Sequence, residues 1–446
     1  MNTDTIVASA TAPGRGAISV IRLSGPDALA IASRCQSKRL TPRVATFSPF
    51  ISNGIQLDSG LWIYFPAPHS FTGENTVEFQ GHGGPTVIQS IIQTLVDQGA
   101  RLAQPGEFSE RAFLNGKIDL TQAEAISDLI AASSIEAVKA ANRSLAGEFG
   151  DEIRSLVDQI VHLRTHLEAH IDFPDEDISP QALEEFGLVL KNATTYLATL
   201  LERARLGSKL NQAADIVLIG TPNTGKSSLL NTLAKEPLAI VTDLPGTTRD
   251  LIRHHIVTHG LELRITDTAG LRTTDDPIER EGIQRTKQAI ATADLIIAMF
   301  DETHLEITDR DVSQLIQLEA LDTPILVVRN KMDLYSSETN ESLPYAYCQI
   351  SAMTGDGIDE LLAHIRSILQ IIPRDDVFLA RTRHINLLDQ ASACFLSALD
   401  HPLQQEFIDL IAEDLRLAQN ALSEITGAFN SDDLLTEIFS NFCIGK

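Results

Sequence analysis

Residues 216–233 read Ile-Val-Leu-Ile-Gly-Thr-Pro-Asn-Thr-Gly-Lys-Ser-Ser-Leu-Leu-Asn-Thr-Leu. The apolar run Ile216–Ile219 predicts a strand, and Leu229 to Leu233 predicts a helix. Between them, Gly220-Thr221-Pro222-Asn223-Thr224-Gly225-Lys226-Ser227 matches G-x-x-x-x-G-K-[ST] in the context where that pattern has a mechanism. Glycines let the backbone curl so that successive N–H groups point at phosphate oxygens. The helix N-terminus adds the positive end of a dipole. Lys226 is expected to reach the β- and γ-phosphates as a catalytic cation, and the Ser227 hydroxyl to ligate Mg²⁺. Average residue frequencies give this pattern by chance in about one chain of this size in fifty, and the strand–loop–helix setting lowers that further.

Outward from this loop, apolar runs at Leu261–Ile265, Leu295–Met299 and Ile325–Val328 alternate with helical segments. That alternation predicts a parallel sheet covered by helices. Asp267-Thr268-Ala269-Gly270 ends one of these strands, where a carboxylate can face the metal and the Gly270 N–H can meet the γ-phosphate. A bare D-x-x-G arises about once or twice in such a chain, so its place in the order gives it meaning. Asn330-Lys331-Met332-Asp333 follows Ile325–Val328. A carboxylate at Asp333 accepts from both the N1–H and the exocyclic amine of guanine; adenine lacks that pair of donors. Ser351-Ala352-Met353, after a strand near Tyr347–Ile350, fits the last base-contacting loop.

Gly246-Thr247-Thr248-Arg249-Asp250 lies between the phosphate loop and Asp267, and Thr248 is the expected switch threonine completing the Mg²⁺ shell. Leu271 stands where many small GTPases carry the glutamine that orients the attacking water. Leucine cannot do this, so the hydrolytic group is expected from Glu279, Arg280 or Glu281, or from another chain. The residues expected to touch GTP are Asn223, Thr224, Gly225, Lys226, Ser227 and Ser228 of the phosphate loop and Thr242, Thr247 and Thr248 before the second strand. Asp267, Thr268, Ala269 and Gly270 are expected to join them at the γ-phosphate, and Asn330, Lys331, Asp333, Ser351, Ala352 and Met353 at the base.

A length of 446 residues predicts about three domains. No apolar run approaches the roughly 18–20 residues that span a bilayer, and Met1 to Asp4 are polar, without a signal-peptide pattern. The expectation is a cytoplasmic protein. Cys35, Cys348, Cys394 and Cys443 are scattered, without metal-ligand spacing or the density of a disulfide framework. The net charge of −25 makes the chain a poor autonomous RNA binder, because such affinity rests on clustered Lys and Arg. RNA work would need a partner supplying positive charge; acidity serving solubility alone is the other reading.

Residues 5–115 read as mixed strand and loop, with runs such as Ala17–Leu23 and Leu61–Phe65 separated by Gly and Pro signals. From about residue 119 the period becomes helical. Ile153, Leu156, Val157, Ile160, Leu163, Leu167 and Ile171 form one stripe; an acidic, proline-bearing loop at Phe173–Pro180 interrupts it, and helix resumes to about Lys209. After Pro373 a second stripe, Phe407, Ile411, Leu415, Ala418 and Leu422, restores the helical period. Helices on both sides predict that the α/β unit is inserted into one helical domain. The expected boundaries are 1–118 for an amino-terminal α+β domain, 119–211 and 373–446 for the two parts of the helical domain, and 212–372 for the nucleotide unit.

The set Gly220–Ser227, Gly246–Asp250, Asp267–Arg272 and Asn330–Asp333, joined to the terminal Phe442-Cys443-Ile444-Gly445-Lys446, resembles the MnmE (TrmE) family of tRNA modification GTPases. The resemblance covers nearly the whole chain, including Thr5–Gly16, Ser70–Gly84 and Pro105–Glu124. It implies a P-loop GTPase domain inserted in an all-helical domain, plus an α+β amino-terminal folate-binding domain that forms a homodimer. It implies K⁺-stimulated GTP hydrolysis and, with a flavin-dependent MnmG-type partner in a heterotetramer, installation of an aminomethyl-type group at carbon five of the wobble uridine of certain tRNAs. A tetrahydrofolate derivative, of 5-formyl or methylene type, supplies the one-carbon unit.

By similarity, the folate contacts map to Arg22, Glu78, Lys117 and Lys446, and K⁺ to Asn223, Thr242, the Leu244 carbonyl and Thr247. Glu279 takes the water-activating position. Cys443 would be a thiol beside the one-carbon chemistry, or a buried inert one. Pro222, Thr224 and Leu244-Pro245 vary from the family pattern within their loops. A different class, a GTP-switched assembly factor such as one for ribosomes, would show unchanged wobble uridines on nucleoside analysis of tRNA from a deletion strain.

Asp333→Asn should exchange a guanine preference for a xanthine one, because the amide inverts the hydrogen-bond match at the base. Competition binding of GTP and XTP measures this; full GTP affinity in the variant would contradict the placement of the base loop.

Overall fold

The structure is a computed structural model. It describes residues 4–172, 180–210, 213–235, 240–243, 253–258, 261–267, 288–301, 307–316, 323–334, 343–371, 376–428, 435, 438–440, 442 and 445. The chain forms two compact units. One gathers 1–130, 143–197 and 386–446; the other gathers 131–142 and 198–385.

The first unit opens with β1 (Ile6–Ser9), β2 (Ile18–Ser24), α1 (Ala28–Arg34), β3 (Thr46–Ser52), β4 (Ile55–Phe65), β5 (Thr76–His82), α2 (Pro85–Asp97), β6 (Arg101–Leu102) and α3 (Glu107–Leu114). The strands form one sheet in the order β3-β4-β5-β2-β1-β6. Val7, Ile21, Leu23, Phe50, Trp62, Val77 and Phe79 pack on one side with Ile31 and Ala32 of α1 and Ile91 and Leu95 of α2. Phe50, Trp62 and Phe79 make mutual ring contacts, with centroids 4.8–5.3 Å apart, inside this core.

Reading residues 5–115 as strand and loop missed three helices. In α2 the core-facing positions are Val87, Ile88, Ile91, Ile92, Leu95 and Val96. Most are β-branched, which raises strand propensity, and burial against the sheet decides the matter instead.

Five charged side chains lock α3 to β1 and β6. Arg111, only 3% exposed, donates to Asp4 Oδ1 at 2.7 Å, to Glu107 Oε1 at 2.9 Å and to Glu74 at 3.2 Å. Arg101 binds Asp4 at 2.7 Å and Glu107 at 2.7 Å. Burial alone would push the Glu107 carboxyl up, but Arg101, the Gln104 N–H and Arg111 hold it below the usual carboxylate range.

Helices follow: α4 (Leu120–Ala131) and α6 (Glu148–Asp172) fall in this unit, α5 (Ile135–Leu145) falls mostly in the other, and α7 (Pro180–Lys209) is divided between them after Leu197. Of the predicted α6 stripe, Ile153, Leu156, Ile160, Leu163 and Leu167 are buried, whereas Ile171 is exposed.

The second unit holds β7 (Ala214–Gly220), α8 (Lys226–Lys235), β8 (Ile240–Asp243), β9 (Arg253–Thr258), β10 (Leu261–Asp267), β11 (Leu295–Phe300), α9 (Asp309–Ile316), β12 (Ile325–Arg329), β13 (Ala346–Gln349) and α10 (Ile358–Ile368). Its sheet runs β13-β12-β11-β7-β10-β9-β8. The first five strands are parallel, and β9 and β8 extend the sheet antiparallel. β11 is buried at every position, as a parallel strand covered on both faces must be. The chain ends in α11 (Thr382–Asp400) and α12 (Ile408–Thr426). Ile411, Leu415, Ala418 and Leu422 of α12 are buried, and Gln419 accepts a 2.6 Å bond from Arg164 of α6. Helix thus flanks the α/β sheet in sequence on both sides. Among the described residues no helix is long and apolar enough to cross a membrane.

Arg111→Met should destabilise the amino-terminal unit by about 3–5 kcal/mol, because Glu107 and Glu74 lose the cation that offsets their burial. Asp4 and Glu107 ionise more readily in the fold than unfolded, so they contribute stability above the ordinary carboxylate range that is lost as pH falls below it. Denaturant unfolding at neutral and acid pH should show the Arg111→Met penalty shrinking on acidification; an unchanged penalty would contradict the ionic account.

Candidate functional site

β7 delivers its chain into the loop of residues 221–225 at the carboxyl end of the parallel sheet, where ligands of open α/β sheets bind. Asn223, with φ 71°, and Gly225, with φ 94°, both adopt left-handed backbone. Asparagine tolerates that region better than most residues. Gly225 has no substitute: a Cβ there would lie 2.1 Å from Asn330 Nδ2. Thr224 is fully buried, and its hydroxyl donates to the Thr221 carbonyl at 2.8 Å, which fixes the curl of the loop.

Asn330 joins the two halves of the site. Its Nδ2 donates to the Thr224 carbonyl at 2.8 Å, and its Oδ1 accepts from the Ala352 N–H at 2.9 Å. The side chain is 2% exposed, so both bonds are made in a low-dielectric setting. Ser351 Oγ donates to Asp333 Oδ1 at 2.6 Å, which orients the carboxylate. Lys331 turns the chain with φ 69°, and its ammonium lies 3.5 Å from the buried Asp301.

Asn223, Gly225, Lys226, Ser227, Ser228, Asn330, Lys331, Asp333, Leu334, Ala352 and Met353 line one cavity of about 470 Å³. That is within the usual range for a small-ligand site. Met353 is 86% exposed at its rim. Residues predicted for phosphate (Asn223, Gly225, Lys226, Ser227, Ser228) and for the base (Asn330, Lys331, Asp333, Ala352, Met353) therefore share one space, while Thr224, Asp267 and Ser351 are not among its lining.

Lys226 Nζ donates to the carbonyls of Gly220 at 2.8 Å and Thr221 at 3.2 Å. Burial pushes its ammonium down from the ordinary lysine range, with Asp267 opposing. Burial pushes the Asp267 carboxyl up, with Lys226 and His254 opposing. Among the described residues, Asp267 Oδ1 is buried without a hydrogen-bond partner. An acid held this way has its ionised form disfavoured until a cation arrives. Among the described residues no group of three or more His, Cys, Asp or Glu could hold a metal. A lone carboxylate beside hydroxyls suits Mg²⁺, which keeps water and substrate phosphates as most of its ligands.

Thr268, Ala269, Gly270, Leu244, Thr247, Thr248, Glu279, Cys443 and Lys446 lie outside the described residues, and of Thr242 only the backbone, on β8, is described. The roles expected of them remain expectations. Asp301, Leu334 and Thr232, whose hydroxyl donates to the Ala352 carbonyl at 2.6 Å, are site neighbours the sequence did not mark. None belongs to a motif with its own spacing signal.

In the amino-terminal unit, β2 and β5 pair Arg22 with Glu78, and their side chains form a 2.9 Å ion pair. The Arg22 guanidinium sits over the rings of Phe71 and Phe108, at 5.9 and 5.7 Å. Its Nη1 lies 3.5 Å from the Gly445 carbonyl, so the chain terminus comes to the same place. Lys117 packs against Gly73 and lines a separate cavity of about 390 Å³ with Asp119 and Arg154.

A sequence model described as "MnmE helical domain" matches residues 120–443, and one described as "GTP-binding protein TrmE N-terminus" matches residues 5–117. The chain is 46% identical over 446 residues to a protein of Coxiella burnetii named tRNA modification GTPase MnmE, covering 99% of each. It is 45% identical over 450 residues to the protein of that name in Legionella pneumophila (strain Corby), covering all of both chains. Among solved structures, Aquifex aeolicus Era bound to GDP.AlF4- overlaps 41% of this chain and 67% of that one at 24% identity, with a TM-score of 0.28. The G domain of T. maritima FeoB overlaps 35% of this chain and 99% of that one at 18% identity, with a TM-score of 0.27.

Asn330→Ala leaves the Thr224 carbonyl and the Ala352 N–H without their partner, at about 1–3 kcal/mol each. GDP affinity, read by titration of a fluorescent analogue, should fall roughly ten- to hundredfold. Unchanged affinity would contradict the bridging role.

Proposed function

This chain belongs to the MnmE family of tRNA modification GTPases, and from that premise we propose that its GTP hydrolysis is stimulated by K⁺ and coupled to modification at carbon five of the wobble uridine of certain tRNAs. It is a GTP-binding GTPase of tRNA modification. The observation that carries the reading is the convergence of Lys226, Asn330 and Asp333 on one cavity, with phosphate chemistry at one end and guanine chemistry at the other.

Lys226 and the N–H groups of the loop before Ser227 hold the phosphates, and Asp333, oriented by Ser351, reads the base. Ser228, Ala352 and Met353 line the same space. Ser227 and Thr248 ligate Mg²⁺, and the unpartnered Asp267 oxygen supports a cation at that end of the cavity. When bound, Mg²⁺ neutralises charge on the phosphate oxygens. Asn223, Thr242, the Leu244 carbonyl and Thr247 hold K⁺, which takes the place of an arginine finger. Glu279 positions the attacking water, a task Leu271 cannot perform. Thr268, Ala269 and Gly270 close on the γ-phosphate.

The nucleotide domain is residues 212–372, inserted between helical parts at 119–211 and 373–446. The amino-terminal domain, 1–118, forms the homodimer and binds a tetrahydrofolate derivative through Arg22, Glu78, Lys117 and Lys446. The Arg22–Glu78 pair between two aromatic rings and the arrival of Gly445 beside it support that placement. The partner is an MnmG-type flavoprotein, in a heterotetramer that supplies the positive charge this acidic chain lacks for tRNA. Cys443 is the candidate thiol for the one-carbon chemistry. The work is cytoplasmic.

Hydrolysis of GTP should run at least about tenfold faster in KCl than in NaCl, given the 10³-fold or more that a well-placed positive charge supplies in this chemistry. Phosphate release at matched ionic strength measures it. Equal rates in the two salts would overturn the K⁺ reading, and unmodified wobble uridine in a reconstitution with the flavoprotein would overturn the coupled function.

A further inference from the structure

β5 ends in Glu78-Phe79-Gln80-Gly81-His82, and the last residue is held in a way its neighbours are not. Asp58 Oδ1 lies 2.6 Å from His82 Nδ1, and Asp58 Oδ2 accepts from the His82 backbone N–H at 2.8 Å. The Ser59 N–H adds a third bond to the same carboxyl, at 2.7 Å. The Asp58 side chain is 7% exposed and the His82 side chain 75%. Asp58 occupies the space a side chain at Gly81 would need: a Cβ there would lie 2.4 Å from Asp58 Oδ2. Burial opposes ionisation of Asp58, yet the bonds from His82 and Ser59 hold its carboxyl below the usual range.

An ionised carboxylate only accepts hydrogen bonds, so Nδ1 must carry the imidazole proton when the ring is neutral. The Nε2 lone pair is then directed away from Asp58, and it has no partner among the described residues. This is how a base is oriented when a buried acid fixes its tautomer and stabilises the imidazolium that forms. His82 lies four residues along β5 from Glu78, about 13 Å at the rise of a strand, so its Nε2 is set apart from the Arg22–Glu78 pair.

We propose that Asp58 and His82 form a proton-accepting dyad of the amino-terminal domain, which takes a proton from an amine reactant as that amine is joined to the one-carbon unit. The proposal rests on the one-carbon reading of this domain given above. Were the amine nitrogen to add to a methylene-type unit carried as a C=N iminium, a C–N bond would form as the C=N π pair returned to the carrier nitrogen, and the amine nitrogen would become positively charged. Nε2 takes one N–H proton, the N–H bonding pair returns to nitrogen, and the imidazolium is balanced by the Asp58 carboxylate. The proton then leaves to water.

The test uses the full chain with its flavoprotein partner, tRNA and GTP, comparing wild type, His82→Ala and His82→Asn. Asparagine can keep the donor to Asp58 while removing the base. Both variants should modify wobble uridine about 10²- to 10⁴-fold more slowly in single turnover, the usual contribution of a positioned base. Phosphate release from GTP should match wild type in both variants, and thermal unfolding should match wild type in His82→Asn, whereas His82→Ala removes a partner of the buried Asp58 carboxylate and should unfold somewhat earlier. Added imidazole should restore part of the His82→Ala rate and none of the His82→Asn rate, an outcome that a merely structural histidine would not give. Wild-type modification rates in either variant, or losses that imidazole leaves untouched in His82→Ala, would overturn the dyad beside an active wild type. An inactive wild type would overturn the functional reading, and the dyad's role with it.

Discussion

Asn330 makes two hydrogen bonds, and the nucleotide site depends on them. One reaches the Thr224 carbonyl in the phosphate loop, and the other receives the Ala352 N–H in the base loop. These loops are more than a hundred residues apart in sequence. A buried amide that accepts from one and donates to the other fixes the spacing of the two loops. The constraint propagates into sequence. Gly225 must lack a side chain because Asn330 occupies that space, and Ser351 must follow β13 closely enough to orient Asp333. β7, β11, β12 and β13 run parallel, with β11 between β7 and β12, so the loops that follow β7, β12 and β13 leave from one rim of the sheet.

The same rim concentrates electrostatic cost. Lys226 and Asp267 are each burdened by burial, and each partly relieves the other. A site in this condition is poised for a ligand that brings phosphate to the lysine and a cation to the aspartate. The amino-terminal unit solves its charge problem internally. Arg111, Arg101, Asp4, Glu74 and Glu107 pair opposite charges with one another at 2.7–3.2 Å. The buried carboxylate of Glu107 thus has two guanidinium partners, whereas Lys226 and Asp267 have no such direct ion pair between them among the described residues.

Much of the nucleotide unit was legible in sequence because its motifs combine period and spacing. The run Ile216–Ile219 predicts β7, and Asp333 and Ser351, expected in neighbouring loops, are joined by a 2.6 Å hydrogen bond. The α6 stripe was equally legible from Ile153 to Leu167, since the 3.6-residue period reports burial directly. The amino-terminal unit was harder. α2 is built from β-branched residues that advertise a strand, and its helix exists because of the sheet beneath it. Asp58 gave no signal either. Its meaning comes from a contact with His82 across two strands and from the absence of a side chain at Gly81, and neither has a fixed sequence spacing. Asp301 near Lys331 escaped notice for the same reason.

The account stands most directly on where the nucleotide sits. A crystal structure of the chain with Mg²⁺ and a non-hydrolysable GTP analogue should place the triphosphate against the loop preceding Ser227. The guanine edge should lie within hydrogen-bond distance of both oxygens of Asp333, with Asn330 still bridging the two loops. The analogue bound anywhere else, or a cavity that accepted the ATP counterpart in the same pose, would contradict it.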